Sequence, residues 1–494
     1  MLQPQDRLYF IHIPKTAGTT LIPHLDARFH VDEICPAQLW PQLLLLPQET
    51  LPRYRLFRGH FGAKGLDCFL PQPPLRITML RHPVPLAFST YQFILREPGT
   101  QGHRLVKSRK MSFAEFLRHP KARLAVTNKQ VNNLGFELHY QPGRGSVLSA
   151  ARGAKRWVNS HKVVYRSPQE RLERAFAVLQ ECVFFGLVER FDESMALLSW
   201  TFGWPPVGPV QKLMVAPSAS RQGAALSSAL EAQICAYNLL DLALYEAAEK
   251  RFEERLAAMR EDLRQYARAG EVVPDPLIAN PLLLHKLLKR HYRYQRPKQT
   301  RPAGAPIRMT FAEPLSGSGW HGREKASSKG IFYRWTGPGR VSTLAFPLGV
   351  AEDFVVTFLV LDAASPTILE SLQLTVNGQP VALRSFGRGS CPRYYRAFIS
   401  RHIFTSRARH IQLAFRVAKT VRRERYYWDM RMVGVAIGGV ELVPAREALP
   451  EEVLIARLKK LRRPISWRLW PLQIPWFGPR LRKFYLYLRA AYFS

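Results

Sequence analysis

The chain has 494 residues, 47% of them hydrophobic, and carries 72 Lys and Arg against 37 Asp and Glu, a formal net charge of +35. Its length predicts two or three domains, and its apolar content excludes wholesale disorder. The charge favours polyanionic partners, but no helix-turn-helix, zinc-finger or RNA-binding aromatic motif accompanies it, so no specific nucleic acid is expected. Five scattered cysteines without a C-x-x-C pair argue against a metal site or a disulfide framework.

The first predicted element is a strand that leads into a loop of the kind that binds phosphate. An apolar run at 9–13 is followed by Pro14, Lys15 and a stretch with glycine and hydroxyl groups, and then by an apolar run that can form a helix. Loop N–H groups and a helix dipole attract an anion, and the lysine adds a full charge. Lys15 precedes Gly18, so the order is not that of a Walker A loop, and a nucleotide kinase is the weakest hypothesis.

The second predicted strand runs through Tyr54, Leu56 and Phe57 and leads into His60. Histidine titrates near neutral pH, and a position after a strand end suits a general base. Arg58 and Lys64 flank this histidine and are predicted to attract an anionic acceptor.

The third predicted strand, at 76–80, ends in Arg81 and leads into a helix that carries Ser89, so an arginine and a serine are available for an anion. Farther along the chain, the pattern predicts amphipathic helices within 112–135 and 165–200. The apolar spacing from 225 to 269 predicts one long helix that closes the first domain.

These segments resemble the sulfotransferases that use 3′-phosphoadenosine 5′-phosphosulfate (PAPS), in particular the branch of the heparan sulfate O-sulfotransferases and their bacterial relatives. The likeness covers roughly residues 7–265 and implies a P-loop-like parallel sheet flanked by helices. It also implies a helix near the donor at 128–134 and a strand followed by a helix at 185–194. It implies Lys15 and His60 as catalytic residues, the histidine as the base, and no metal. The donor-binding residues that it implies are Pro14, Lys15, Thr16, Ala17, Gly18, Thr19, Thr20, Arg81 and Ser89.

Past residue 306 the pattern changes to short alternating runs, which predicts a jelly-roll-like β-sandwich at 307–444. Asn377-Gly378 between two such runs is a hairpin signal. Aromatic residues (Trp320, Tyr333, Trp335, Tyr426, Tyr427 and Trp428) suit either a glycan surface or the core.

The predicted boundaries are 1–269 for the sulfotransferase domain, 270–306 for a basic, proline-containing linker and 445–494 for a basic, aromatic tail. That tail could contact an anionic membrane surface.

The predicted function is transfer of a sulfuryl group from PAPS to a hydroxyl of an acceptor, with a carbohydrate favoured. Two alternatives stay open: a sulfotransferase for a lipid, peptide or small metabolite, and an inactive relative that binds polyanions or a membrane surface. No signal peptide or apolar run of about 18 residues is visible, which predicts a cytoplasmic protein, either free or peripheral at the inner membrane face.

Overall fold

The computed structural model describes residues 2–140, 153–165, 167–206, 226–295, 306–326, 330–347, 352–387, 391–404, 410–422 and 431–462. In chain order, a parallel sheet flanked by helices is followed by antiparallel β-sheets. The predicted succession of an α/β unit and a β-rich unit is therefore confirmed.

The parallel sheet consists of β1 (Leu8–Ile11), β2 (Leu56–Gly59), β3 (Leu75–Leu80) and β4 (Phe184–Leu187), in the spatial order β2-β1-β3-β4. All three pairings are parallel. The strands are almost wholly buried, as expected for apolar runs in a sheet that helices cover. Because Ile11 lies opposite both Gly59 and Thr78, the residues that follow β1, β2 and β3 meet at one edge of the sheet.

The helices of this unit are α1 (Gly18–Asp26), α2 (Trp40–Leu43), α3 (Pro83–Arg96), α4 (His103–Ser108), α5 (Phe113–Arg118), α6 (Pro120–Arg123), α7 (Lys129–Leu134), α8 (Ala154–His161), α9 (Pro168–Glu181), α10 (Phe191–Phe202), α11 (Ser228–Tyr237), α12 (Leu239–Arg264) and α13 (Pro281–Gln295). The long helix predicted at 225–269 is divided into α11 and α12. The break falls at Asn238, whose φ of −128° is not helical and whose Oδ1 accepts a hydrogen bond from Asn128 N at 2.7 Å. A tertiary contact thus interrupts a periodicity that is otherwise continuous.

Part of the segment predicted as a linker is helical, because α13 lies within 270–306. Its leucines join the apolar core of the parallel-sheet unit: Leu283, Leu284, Leu287 and Leu288. Pro281 is the first residue of the helix, where proline costs nothing since its missing N–H would have no partner. The prolines that suggested a linker flank this helix rather than interrupt it.

The β-rich unit contains β5 (Ile307–Met309), β6 (Gly317–Ser318), β7 (Glu324–Ala326), β8 (Ile331–Trp335), β9 (Val341–Pro347), β10 (Phe354–Ala363), α14 (Pro366–Glu370), β11 (Gln373–Val376), β12 (Gln379–Val381), β13 (Arg384–Phe386), β14 (Arg393–Ile399), β15 (His410–Arg416), β16 (Val421–Arg422), β17 (Met432–Val433) and β18 (Val435–Pro444). One sheet has the order β13-β14-β10-β18-β8-β7, with β5 paired to β18, and a second has the order β12-β11-β15-β9-β6. β16 and β17 form a separate pair.

The two larger sheets share one apolar core, in which the rings of Phe358 on β10 and Phe415 on β15 lie 5.1 Å apart. The predicted hairpin is present between β11 and β12, and Asn377 and Gly378 adopt the positive φ that such a turn needs. Trp335 is 1% exposed. Trp320 packs against Phe415 and donates its Nε1–H to a backbone carbonyl. For these two tryptophans the structure favours the core over a glycan surface.

A final helix, α15 (Glu451–Arg462), packs Leu454 and Leu458 against Leu359 and Phe386 of the β-rich unit. The start of the predicted tail is therefore part of this unit. Most of the basic and aromatic residues of the tail, at 463–494, and the aromatic run at 426–428 lie outside the described residues. Across the ranges that the structure describes, no helix combines the length and apolarity needed to cross a membrane.

Candidate functional site

The loop between β1 and α1 turns through two residues in the left-handed backbone conformation. Lys15 and Ala17 adopt left-handed φ values of 75° and 63°. Inside the loop, the Thr16 hydroxyl donates a hydrogen bond to Ile13 O at 2.8 Å. The helix begins at Gly18, and the first N–H groups of a helix have no partner within it. The loop thus presents backbone donors and the positive end of a helix dipole at the edge where the strands end.

Gly18 is required by the close approach of the His12 ring. A Cβ atom added at Gly18 would lie 1.9 Å from His12 Nε2, far inside any real contact distance. The imidazole thus lies directly against the start of α1. Its Nδ1 is buried without a hydrogen-bond partner among the described residues. Burial, with help from His60 and neighbouring cations, holds the pKa of His12 well below its usual range, so the ring is neutral.

The Lys15 side chain extends from the loop towards α3. Its Nζ lies 4.5 Å from the centre of the Phe93 ring, a cation–π distance. Burial, followed by the charges of Arg96 and Arg81, lowers the pKa of Lys15 to about 8. The ammonium group is mostly charged at pH 7, but it lies among cations and has lost part of its hydration. Such a group gains most from an anionic ligand.

Arg81 connects the loop between β1 and α1, residues 12–17, to β3 and α7. Because of its predicted ligand, this segment is called the phosphate-type loop. Its Nη1 donates to Lys15 O at 3.1 Å. The peptide groups are also fixed, since Arg81 N donates to Gln130 Oε1 at 2.9 Å and Gln130 Nε2 donates to Arg81 O at 2.8 Å. The Arg81 Nε is buried with no hydrogen-bond partner in the described chain, and the Glu189 carboxylate lies 4.0 Å away. The guanidinium therefore lies between the carbonyl of Lys15 and the carboxylate of Glu189.

The start of α7 is anchored by side chains from α11 and α12. Asp241, which is fully buried, accepts hydrogen bonds from the backbone N–H groups of Gln130 at 3.0 Å and Val131 at 2.8 Å. Asn128 has a left-handed φ of 42°, and its Oδ1 accepts a bond from Asp241 N. Burial raises the pKa of Asp241 to about 6, and the two backbone donors oppose that rise. The contacts to Asn128 and Gln130 fix the position of Lys129, which lies between them in the chain.

Lys129 brings a second ammonium group to the same place. Its Nζ lies 3.4 Å from Thr90 Oγ1 on α3, one residue after the predicted donor-binding Ser89. Burial, followed by the charge of Lys15, lowers the pKa of Lys129 to about 8, and Asp241 opposes that fall. The charge of Lys15 thus acts on Lys129, and two partly dehydrated ammonium groups in one region favour a multiply charged anion.

His60 lies at the same edge, after β2, and stacks on His12 with ring centres 4.4 Å apart. Its Nδ1 is 2.6 Å from His12 O. A carbonyl oxygen only accepts, so Nδ1 carries the hydrogen and Nε2 of the neutral ring keeps its lone pair. Burial and, to a smaller extent, the charge of Lys129 lower the pKa of His60, whereas the hydrogen bond to His12 raises it. His60 is thus a neutral imidazole in a fixed tautomer, within reach of the Lys129 charge.

The other predicted donor-binding residues lie on the same loop, in the first turn of α1 and on α3. Pro14 and Ala17 are partly exposed, Thr19 is exposed, and Thr20 is buried in the first turn of α1. Ser89 is partly buried on α3, four residues before Phe93, and so lies on the helix face that meets Lys15. The structure therefore brings Lys15, Arg81, Ser89 and His60 to one edge of the sheet.

The two residues predicted to bind the acceptor are instead paired with carboxylates. Arg58 makes a two-bond contact with Asp26, at 2.6 and 3.0 Å. Lys64 Nζ lies 3.2 Å from Glu181 Oε1. The sequence shows that these cations flank His60 but not that each has an acidic neighbour distant in the chain. Arg58 and Lys64 thus gain no geometric support as acceptor-binding residues.

The comparisons with known proteins do not assign the chain to a family. No family model matches it, and no curated protein matches it. Among solved structures, a family GH115 4-O-methyl-α-glucuronidase with specificity for decorated arabinogalactans is similar, at 13% identity and a TM-score of 0.19, over 73% of this chain and 42% of that one. The chain thus spans less than half the length of that enzyme. A likeness this weak carries no argument, so the functional proposal depends on the residues of the site.

Proposed function

We propose that the protein is a PAPS-dependent sulfotransferase with a P-loop-like donor site. The observation that carries the proposal is the convergence of Lys15, Lys129 and Arg81 with the neutral His60 at the carboxyl edge of the parallel sheet. PAPS presents a 5′-phosphosulfate and a 3′-phosphate, so it matches a site with more than one cation. The phosphate-type loop would hold the first group, and Arg81 with Ser89 the second.

The geometry of His60 supports its role as the general base. With Nδ1 committed to the His12 carbonyl, Nε2 is the atom that would accept the proton of the acceptor hydroxyl. The lowered pKa of His60 keeps this nitrogen unprotonated at neutral pH. General-base catalysis by a positioned side chain contributes about 10²–10⁴-fold in rate.

Lys15 would stabilise the negative charge that develops on the bridging oxygen as the S–O bond of the donor breaks. In the transfer, the acceptor oxygen forms a bond to sulfur, its proton passes to His60 Nε2, and adenosine 3′,5′-bisphosphate leaves. Preorganised positive charge in a partly dehydrated site is the largest contribution that a protein makes to such a group transfer. The lowered pKa of Lys15 fits a side chain held ready for such an anion.

A hydroxyl of a carbohydrate is the acceptor that we favour, because the chain carries a net charge of +35 and many glycans are anionic. The β-rich unit would act as an accessory domain, and the basic tail as a contact for an anionic membrane surface. On this proposal the enzyme acts in the cytoplasm. Lipids, peptides and small hydroxylated metabolites are the other acceptors that a screen should include.

The decisive experiment is calorimetric titration with adenosine 3′,5′-bisphosphate, the desulfated product, with ATP and AMP as comparisons. We expect saturable binding that requires the 3′-phosphate and weakens at least about tenfold in Arg81→Ala, a loss of about 1.4 kcal/mol. The matched control is Arg118→Ala, at an exposed arginine of α5. Absence of binding, or a preference for ATP, would refute the proposal.

A further inference from the structure

A segment after α1 connects the parallel-sheet unit to the β-rich unit through backbone hydrogen bonds. Val31 N donates to Ala312 O at 2.9 Å, and Leu315 N donates to Ala27 O at 2.8 Å. Arg323 adds a side-chain bond from Nη2 to Phe29 O at 2.9 Å. The two units therefore meet along a defined surface, and charged side chains lie within it.

Arg334, on β8, is the most deeply buried charge at this surface. It is 1% exposed, and its Nη1 donates to His321 O at 2.8 Å. Its Nε and Nη2 are buried and have no hydrogen-bond partner among the described residues. Leaving donors of a buried charged group without partners costs several kcal/mol, more than the single bond to His321 returns.

Arg28, two residues after the end of α1, has the same deficiency. Its Nε is buried without a partner in the described chain, and its Nη2 has only a long contact of 3.4 Å to Pro205 O. Burial lowers the pKa of Arg28 to about 10. Burial, followed by the charges of Arg323 and Arg28, lowers the pKa of Arg334 to about 9. Both guanidinium groups remain charged at neutral pH and repel each other.

The carboxylate that acts on Arg334 is already engaged. Asp26 attracts Arg323 and Arg334, but both of its oxygens accept short bonds from Arg58, at 2.6 and 3.0 Å. His24 adds no further positive charge, since burial and the charges of Arg28 and Arg334 lower its pKa to about 4 and leave it neutral. Positive charge therefore remains in excess at a buried surface.

We propose that Arg28 and Arg334 hold a tetrahedral oxyanion, sulfate or phosphate, between the two units. Guanidinium groups bind such anions through paired N–H donors, and the free Nε and Nη2 of Arg334 are adjacent donors of this kind. Water could accept the free hydrogens, but it could not offset the charge. The site is independent of the proposed sulfotransferase reaction, and its effect would be to hold the β-rich unit against the parallel-sheet unit.

Equilibrium dialysis of the full chain against labelled sulfate, and separately against labelled phosphate, tests the proposal. The parent chain for this test carries Lys15→Ala and Arg81→Ala, so that the phosphate-type loop does not contribute to binding. We expect one saturable site for at least one of the two anions. Adding Arg334→Gln or Arg28→Gln should weaken that site at least tenfold, whereas Arg308→Gln, at an exposed arginine of β5, should not.

Thermal unfolding provides a readout that needs no label. In millimolar sulfate or phosphate at fixed ionic strength, the parent chain should gain a saturable rise in Tm, and the Arg28→Gln chain should not. The absence of a saturable site in the parent chain, or binding in Arg28→Gln and Arg334→Gln as tight as in the parent chain, would overturn the proposal. Arg28 lies in the segment after α1, so its variant decides the matter if Arg334→Gln fails to fold.

Discussion

His60 Nδ1 lies 2.6 Å from the carbonyl oxygen of His12, and the two rings stack with their centres 4.4 Å apart. A residue after β1 thus fixes the tautomer of a residue after β2. Gly18 makes this arrangement possible because only a residue without a side chain leaves room for the His12 ring. His12 therefore contacts both the start of α1 and the predicted base, so a change at one of them should displace the other.

Replacing His60 with alanine should abolish most turnover and preserve donor binding. The imidazole would accept the acceptor proton, so kcat with a screened acceptor should fall by about 10²–10⁴-fold. Affinity for adenosine 3′,5′-bisphosphate should change by less than about twofold, because the proposed donor site holds the nucleotide through Lys15 and Arg81. Calorimetry and a sulfate-transfer assay measure the two effects. The exposed His402→Ala serves as a control, and normal turnover in His60→Ala would disprove the assignment.

Replacing Lys129 with methionine should shift the acidic limb of the pH–rate profile to higher pH. A base is active when it is unprotonated, and the pKa of His60 is lowered by burial and further by the Lys129 charge. Activity of the unaltered chain should therefore fall only at a pH below the usual histidine range near 6.5. Without that charge the pKa rises, and the fall begins at a higher pH.

The profile of kcat/KM against pH measures this shift, with Lys107→Met on an exposed part of α4 as the matched control. A lower kcat/KM at every pH, with no displacement of the limb, would show that Lys129 acts on donor binding alone and not on His60.

Replacing Gly18 with alanine should disrupt the unit formed by the loop and the two histidines. The added Cβ would overlap His12 Nε2, so the ring or the start of α1 must move. Overpacking of this kind costs about 1–3 kcal/mol in the free energy of unfolding. Nucleotide affinity should fall with it, since the helix start is the predicted anion site. Gly339→Ala, where nothing lies within 4 Å of the added atom, should leave chemical unfolding and calorimetry unchanged.

The parts of this site that the sequence reveals are those in which a motif is continuous. The strand, the loop at Lys15 and the arginine after β3 are each encoded by a few adjacent residues, so their placement can be predicted. Lys129 was not singled out, although the Lys129-Gln130 pair follows an asparagine at a predicted helix start. Its position depends on Asp241, more than a hundred residues away. A single sequence shows no such contact.

The same limit explains the differences in the fold. The hairpin at Asn377 depends on a two-residue turn and was predicted correctly. The break at Asn238 and the ion pair of Arg58 with Asp26 depend on partners that folding brings together. The leucines of α13 had a helical pattern, but the flanking prolines and basic residues made the segment appear to be a linker.

Replacing His24 with glutamine should reduce the loss of stability at acidic pH. The pKa of His24 is lowered to about 4 in the folded chain, whereas the unfolded chain takes up the proton near 6.5. The unfolded state therefore binds more protons between these values, and stability falls as pH falls through this range, by roughly 2–3 kcal/mol for this group.

Urea unfolding at pH 7.5 and 5, in chloride buffers that leave the proposed oxyanion site without sulfate or phosphate, should show a smaller difference in unfolding free energy for His24→Gln than for the unaltered chain. His402→Gln, at an exposed position, should keep the full difference. An unchanged pH dependence in His24→Gln would show that the ring is not held neutral beside Arg28 and Arg334.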